Sequence, residues 1–153
     1  MSPTAPQGDD ALTDRDILTT RILAAPREAV FAAWSDPVLL AQWWGPAGFT
    51  NTFETFDLRA GGHWRFTMHG PDGTAFPNES VFTEITAPER IVFDHVSVPH
   101  FQVAATFTEV AGGTRLAFRM RFATVAECNA IKHLAEGANE QVFDRLAALL
   151  GEG

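Results

Sequence analysis

From His63 to Phe122 the chain alternates apolar and polar side chains in short runs divided by turn residues, and from Thr124 to Leu150 the spacing changes to steps of three and four. That switch restricts the fold more than any other feature. A period of two marks a sheet with one apolar face, and a period near 3.6 marks an amphipathic helix. Trp64, Phe66 and Met68 share one strand face, while His63, Arg65, Thr67 and His69 take the other. Gly70-Pro71-Asp72-Gly73 turns the chain, residues 74–85 pair back, and Ala87-Pro88 ends that strand. Residues 91–96 form the next strand. Phe101, Val103, Ala105 and Phe107 face inward on the one after it. Leu116, Phe118, Met120 and Phe122 do so on the last, with Arg115, Arg119 and Arg121 on its wet side. Sequential hairpins imply antiparallel order. A single terminal helix must then cover the apolar face with a stripe of Ile131, Leu134, Ala135, Ala138, Val142, Leu146 and Leu149.

The first third supplies the remaining elements. Residues 17–23 read as a strand. Pro26 opens a short helix with Val30, Phe31 and Trp34 on its buried side, and Asp36-Pro37 caps and opens a second that stops at Gly45-Pro46. A further strand runs over 49–58. The expected architecture is α+β: a curved antiparallel sheet of six to seven strands, two short helices after strand 1, and one long C-terminal helix over the concave face. Residues 1–14 read as a disordered tail and 15–151 as one domain. A curled sheet closed by one helix leaves space between them, so a pocket is expected there.

Composition limits the partners. The net charge of −8 argues against nucleic acid and anionic membrane. No apolar run approaches the roughly 20 residues of a membrane span, and the N-terminus lacks a signal-peptide pattern. One cysteine, Cys128, allows no intrachain disulfide, which fits a reducing, cytoplasmic setting. Thirteen Phe and four Trp with no Tyr give aromatic surface with few polar tips.

Several ordered motifs resemble one family. Ala25-Pro26-Arg27-Glu28-Ala29-Val30-Phe31-Ala32-Ala33-Trp34-Ser35-Asp36-Pro37 is similar to the opening of the activator-of-heat-shock-ATPase-like (AHSA-type) proteins of the START-like, or SRPBCC, superfamily. So are Trp43-Trp44-Gly45-Pro46, residues 57–65, Gly70-Pro71-Asp72-Gly73, Pro88-Glu89-Arg90 and residues 112–116. The resemblance covers about Arg21 to Leu150. It implies a helix-grip fold like that of a pollen allergen, with a hydrophobic cavity for a small apolar or aromatic molecule, in a monomer or homodimer. Relatives in the superfamily include polyketide cyclases, aromatases and lipid carriers, and the family name points to a chaperone as partner. His95, and Ala138 after Glu136-Gly137, stand where the family commonly has bulky aromatics, which implies a larger and more polar cavity.

The residues expected to line the cavity are Trp43, Trp44, Trp64, Phe66, Met68, Phe93, His95, Val103, Phe107, Phe118, Leu134, Gly137 and Ala138. His95 is placed inward because it shares a strand phase with Ile91 and Phe93. Gly137, costly in mid-helix, is read as making room. The chain has no nucleophile elbow, phosphate loop or metal-ligand spacing, so the expectation is no catalytic residue, no metal and no cofactor. Cys128 near a helix N-terminus is either an activated thiol or packing. Glu79, Glu84, Asp94 and His95 are the acid–base candidates. Ligand binding without catalysis ranks first, a cyclase-, aromatase- or hydrolase-like enzyme second, and a chaperone-linked regulator third.

Overall fold

A computed structural model describes residues 12–151. The elements run β1 (Asp16–Leu23), α1 (Arg27–Ser35), α2 (Pro37–Trp43), β2 (Thr50–Phe56), β3 (His63–His69), β4 (Ala75–Thr86), β5 (Arg90–His95), β6 (Phe101–Val110), β7 (Gly113–Arg121) and α3 (Val125–Leu149). All seven strands join one antiparallel sheet in the order β1-β7-β6-β5-β4-β3-β2. Of the tail expected over 1–14, residues 1–11 lie outside the described residues. Thr13 adjoins the sheet, its N–H donating to the Asp16 carboxylate at 2.8 Å.

Hairpins generate all the order from β2 to β7. The one non-local pairing puts β1 beside β7, so the chain leaves one sheet edge after β1 and returns at the other as β2. Helices α1 and α2 make that crossing. Register shifts at Phe53/Thr55 and at Phe82/Glu84 place bulges in two adjoining regions of the sheet and increase its bend.

The helix boundaries follow from capping. The Asp36 carboxylate accepts from the Val38 N–H, with Pro37 opening α2. Thr124 accepts from the Glu127 N–H at 3.1 Å and starts α3. Pro26 sits one place earlier than expected, at the N-cap of α1, where it makes no side-chain cap. No helix among the described residues is long and apolar enough to cross a membrane.

The inner face carries the core. Trp64, Phe82, Ile91, Phe107 and Leu116, one from each of five successive strands, are all within 2% of full burial. Trp34 of α1 packs on this layer, with ring centroids 4.9 Å from Trp43 and 5.6 Å from Phe107. The outer face of β7 is drier than its alternation suggests, since Arg119 is buried and donates to Gln102 at 3.1 Å.

Asp16 and Arg121 face each other across the β1–β7 ladder. Arg121 Nε donates to Oδ1 at 2.8 Å and Nη2 to Oδ2 at 2.9 Å, with the Asp16 side chain only 1% exposed. Burial alone would raise this carboxyl's pKa. The Arg121 hydrogen bonds, the Thr13 N–H and the nearby positive charges overcome that and hold it below the ordinary 3.8. Because the folded-state pKa is lowered, the stabilisation is complete above the unfolded value and disappears as pH falls through the folded one. Asp16→Ala should cost about 3 kcal/mol in urea unfolding, since it strands a buried guanidinium. Asp16→Asn should flatten the fall in stability below about pH 4. An unchanged midpoint for the alanine variant would show that the β1–β7 edge does not depend on this pair.

Candidate functional site

Beside the core, the same five strands hold a space they do not fill. Each contributes two successive inward residues at one end of the sheet: Phe66 and Met68 from β3, Asn78 and Ser80 from β4, Phe93 and His95 from β5. Phe101 and Val103 come from β6, and Phe118 and Met120 from β7. Helix α3 lays Ala138, Asn139, Val142 and Phe143 across them, and Trp44-Gly45-Pro46 makes one wall. The cavity measures about 160 Å³, and no Lys, Arg, Asp or Glu lines it.

Local sequence explains how the walls are set. Trp44 is the C-cap of α2 and leaves it in an extended conformation. Its ring then sits 5.2 Å from Trp64 and 6.3 Å from Phe93. Gly45 takes φ +103°, and a Cβ there would stand 2.7 Å from Met68 Cε. Arg145 of α3 fixes this turn: Nη1 donates to the Gly45 and Pro46 carbonyls at 2.8 and 3.0 Å, and Nη2 to Gln42 O at 2.9 Å. Asn139 ties α3 to β1 by donating to Thr19 Oγ1 at 3.2 Å.

His95 is buried, and its ring stacks on Phe101 at 4.5 Å. Nδ1 lies 2.7 Å from the Pro99 carbonyl and Nε2 2.7 Å from Asn78 Oδ1. Two oxygen acceptors would suit an imidazolium with both N–H groups. Burial opposes that charge more strongly and holds the ring below the ordinary 6.5, with the Pro99 carbonyl pulling the other way. In the neutral ring Nδ1–H donates to the Pro99 carbonyl, and Nε2 accepts from the Ser97 hydroxyl at 3.4 Å, because Asn78 Oδ1 is itself an acceptor.

Eight of the thirteen residues expected at the cavity line it: Trp44, Phe66, Met68, Phe93, His95, Val103, Phe118 and Ala138. Three belong to the solid core instead. Trp43 is 1% exposed and donates its indole N–H to Ala33 O at 3.0 Å. Trp64 lies under Trp44 and stacks on Phe66 at 4.5 Å. Phe107 meets Phe31 of α1 edge-on at 5.8 Å. The remaining two are on the wrong side of α3. Leu134 is 78% exposed, and a Cβ on Gly137 would meet nothing within 4 Å. The inward set is Ala135, Ala138, Asn139, Val142, Phe143 and Leu146. At 3.6 residues per turn, Gly137 projects roughly opposite to it. A stripe that includes Leu134 and leaves out Asn139 and Phe143 is rotated from this face by about half a quadrant. The spacing of Phe143, four after Asn139 and eight after Ala135, was the signal for the true face. Phe101 and Met120 were already on inward phases. Asn78 and Ser80 share the phase of Phe82 but are polar, so the alternation did not mark them.

The acid–base candidates other than His95 project from the outer surface. Glu79 meets His63 at 3.0 Å, Glu84 meets Arg90 at 3.3 Å, and Asp94 accepts from Gln102 at 3.3 Å. Cys128 is buried, and burial pushes its thiol pKa up despite Lys132 nearby, so it is not an activated thiol. No cluster of three His, Cys, Asp or Glu that could hold a metal occurs among the described residues.

Comparison with known proteins agrees with this fold. A family model described as Activator of Hsp90 ATPase homolog 1-like protein matches residues 24–151. No curated protein matches. Among solved structures, a protein of Nitrosomonas europaea is 23% identical, with a TM-score of 0.85 over 93% of this chain and 97% of that one. A Mycobacterium smegmatis protein is 26% identical, with a TM-score of 0.79 over 92% and 93%. The AHSA1 protein of Silicibacter pomeroyi is 24% identical, with a TM-score of 0.73 over 87% and 95%.

The open surroundings of Gly137 make a direct test of the helix face. Gly137→Ala should raise stability by up to about 1 kcal/mol in chemical denaturation, because the new methyl meets no neighbour and the helix gains propensity. Gly137→Leu should leave the binding of apolar probes unchanged in the same preparation; weakened binding would place that face of α3 against the cavity after all.

Proposed function

The chain belongs to the Activator of Hsp90 ATPase homolog 1-like family, a START-like fold, and from that premise we propose that its cavity binds a small, neutral, apolar or aromatic molecule without transforming it. The observation that carries this reading is the aromatic-walled space of about 160 Å³ that the sheet and α3 leave unfilled. Protein interiors normally close to the density of organic crystals, so a space of this size in a core of large rings is an exception. A cavity of about 150 Å³ accepts benzene in a well-studied engineered protein, so a single ring fits the volume here.

The energetics favour a weak to moderate binder. Burying six ring carbons contributes about 5 kcal/mol at roughly 0.8 kcal/mol per carbon. Because association has its own entropic cost, that sets an upper limit on affinity, a dissociation constant no tighter than on the order of 0.1 mM. Binding without reaction is supported by His95, whose two ring nitrogens are both occupied, and by the outward placement of Glu79, Glu84 and Asp94. An acid or base must reach the proton it transfers, and the cavity wall offers none in that position.

Titration with toluene should change the tryptophan emission, because Trp44 forms a wall of the cavity. Ala138→Leu should keep the fold and weaken that binding at least tenfold, since its side chain would take up ligand space on α3. Absence of binding by calorimetry in the parent protein would refute the proposal.

A further inference from the structure

The cavity has one polar edge, and that edge is incomplete. Ser80 on β4 and His95 on β5 are cross-strand partners, and Asn78 lies two residues before Ser80 on the same face. Asn78 is in use: its Nδ2 donates to Phe76 O at 2.8 Å, and its Oδ1 faces His95. His95 is in use at both nitrogens. Ser80 is 0% exposed, and its hydroxyl has no hydrogen-bond partner. Of the residues with a buried side-chain atom left without a partner among the described residues, Ser80 is the one that lines the cavity. A buried hydroxyl without a partner is costly, and native proteins seldom keep one.

Resting on the binding-site reading above, we propose that Ser80 is the specificity-determining residue of the cavity and that the occupant is a neutral one-ring aromatic bearing a hydroxyl group. A ligand hydroxyl both gives and takes a hydrogen bond. It can therefore satisfy Ser80 in either sense, and the spare lone pair of Asn78 Oδ1 gives it a second acceptor nearby. A carboxylate has no counterpart here, because no Lys or Arg lines the cavity and an unpaired charge would be stripped of water. A purely apolar ring would leave the Ser80 hydroxyl as it is in the empty protein. The cavity volume excludes fused multi-ring ligands from lying wholly within it.

The test compares phenol, toluene and benzoate by calorimetry on the full chain and on Ser80→Ala. Phenol should bind the parent about tenfold more tightly than toluene, the ratio expected from one gained hydrogen bond in a largely apolar site. Benzoate should bind more weakly than both. In Ser80→Ala the phenol preference should vanish with no loss in Tm, because the deleted hydroxyl makes no bond in the empty protein. Toluene binding the parent as tightly as phenol overturns the inference without any variant and leaves the binding-site reading intact. A phenol preference that survives in Ser80→Ala also overturns it. If none of the three ligands binds the parent, the binding-site reading itself fails, and this inference with it.

Discussion

One helix has to cover a sheet that is too wide for it. Seven strands at about 4.8 Å spacing span roughly 29 Å, and a helix with its side chains is only about 10–12 Å across. The sheet bends, helped by bulges at Phe53/Thr55 and Phe82/Glu84, and it still needs more apolar material than α3 supplies. At one end α1 and α2 provide it, through Trp34, Trp43 and Leu40. At the other end only α3 and the Trp44-Gly45-Pro46 turn are present, and the central α3 side chain there is Ala138. The cavity is the volume left by that mismatch.

A helix that packs over empty space must be held by its margins. Arg145 binds three carbonyls of the α2 terminus and the turn after it, and Gln141 accepts from the Ala47 N–H at 3.2 Å. On the opposite side Arg21 of β1 pairs with Glu140 and Asp144 at 2.8 and 3.0 Å. Those carboxylates are largely exposed, and such ion pairs contribute little each. The Arg145 bonds differ in kind, since a guanidinium given to three backbone carbonyls fixes position without a competing carboxylate. The margin contacts keep the cavity open by keeping α3 from sinking into it.

The chemistry of the walls follows from the same arrangement. Inward positions near the core are large and apolar. The polar residues Asn78, Ser80 and His95 cluster where β4 and β5 pass the cavity end. A wholly apolar core tolerates no unpaired hydroxyl, so polar side chains with an inward phase are expected only beside space. His95 is paid for by two hydrogen bonds and a stacked Phe101. Ser80 has neither.

Much of this was legible in the sequence, because strand alternation and helix spacing are local. The order of elements, the antiparallel hairpins, the Asp36 and Thr124 caps and the inward phases of β3, β5, β6 and β7 all depend on neighbours a few residues apart. Which inward residues meet a cavity and which meet a helix is not local. Trp64 and Phe66 have the same phase on one strand, yet one lies in the core and the other borders the cavity, because α1 and α2 cover only one end of the sheet. The face of α3 was decided by packing as well: Asn139 turns inward to Thr19, and Leu134 is left in solvent. The sequence by itself determined the elements and the phase of each strand, through contacts within a turn or a hairpin. Only the tertiary structure decided where those phases enclose a cavity, because that depends on how far one helix can reach across seven strands.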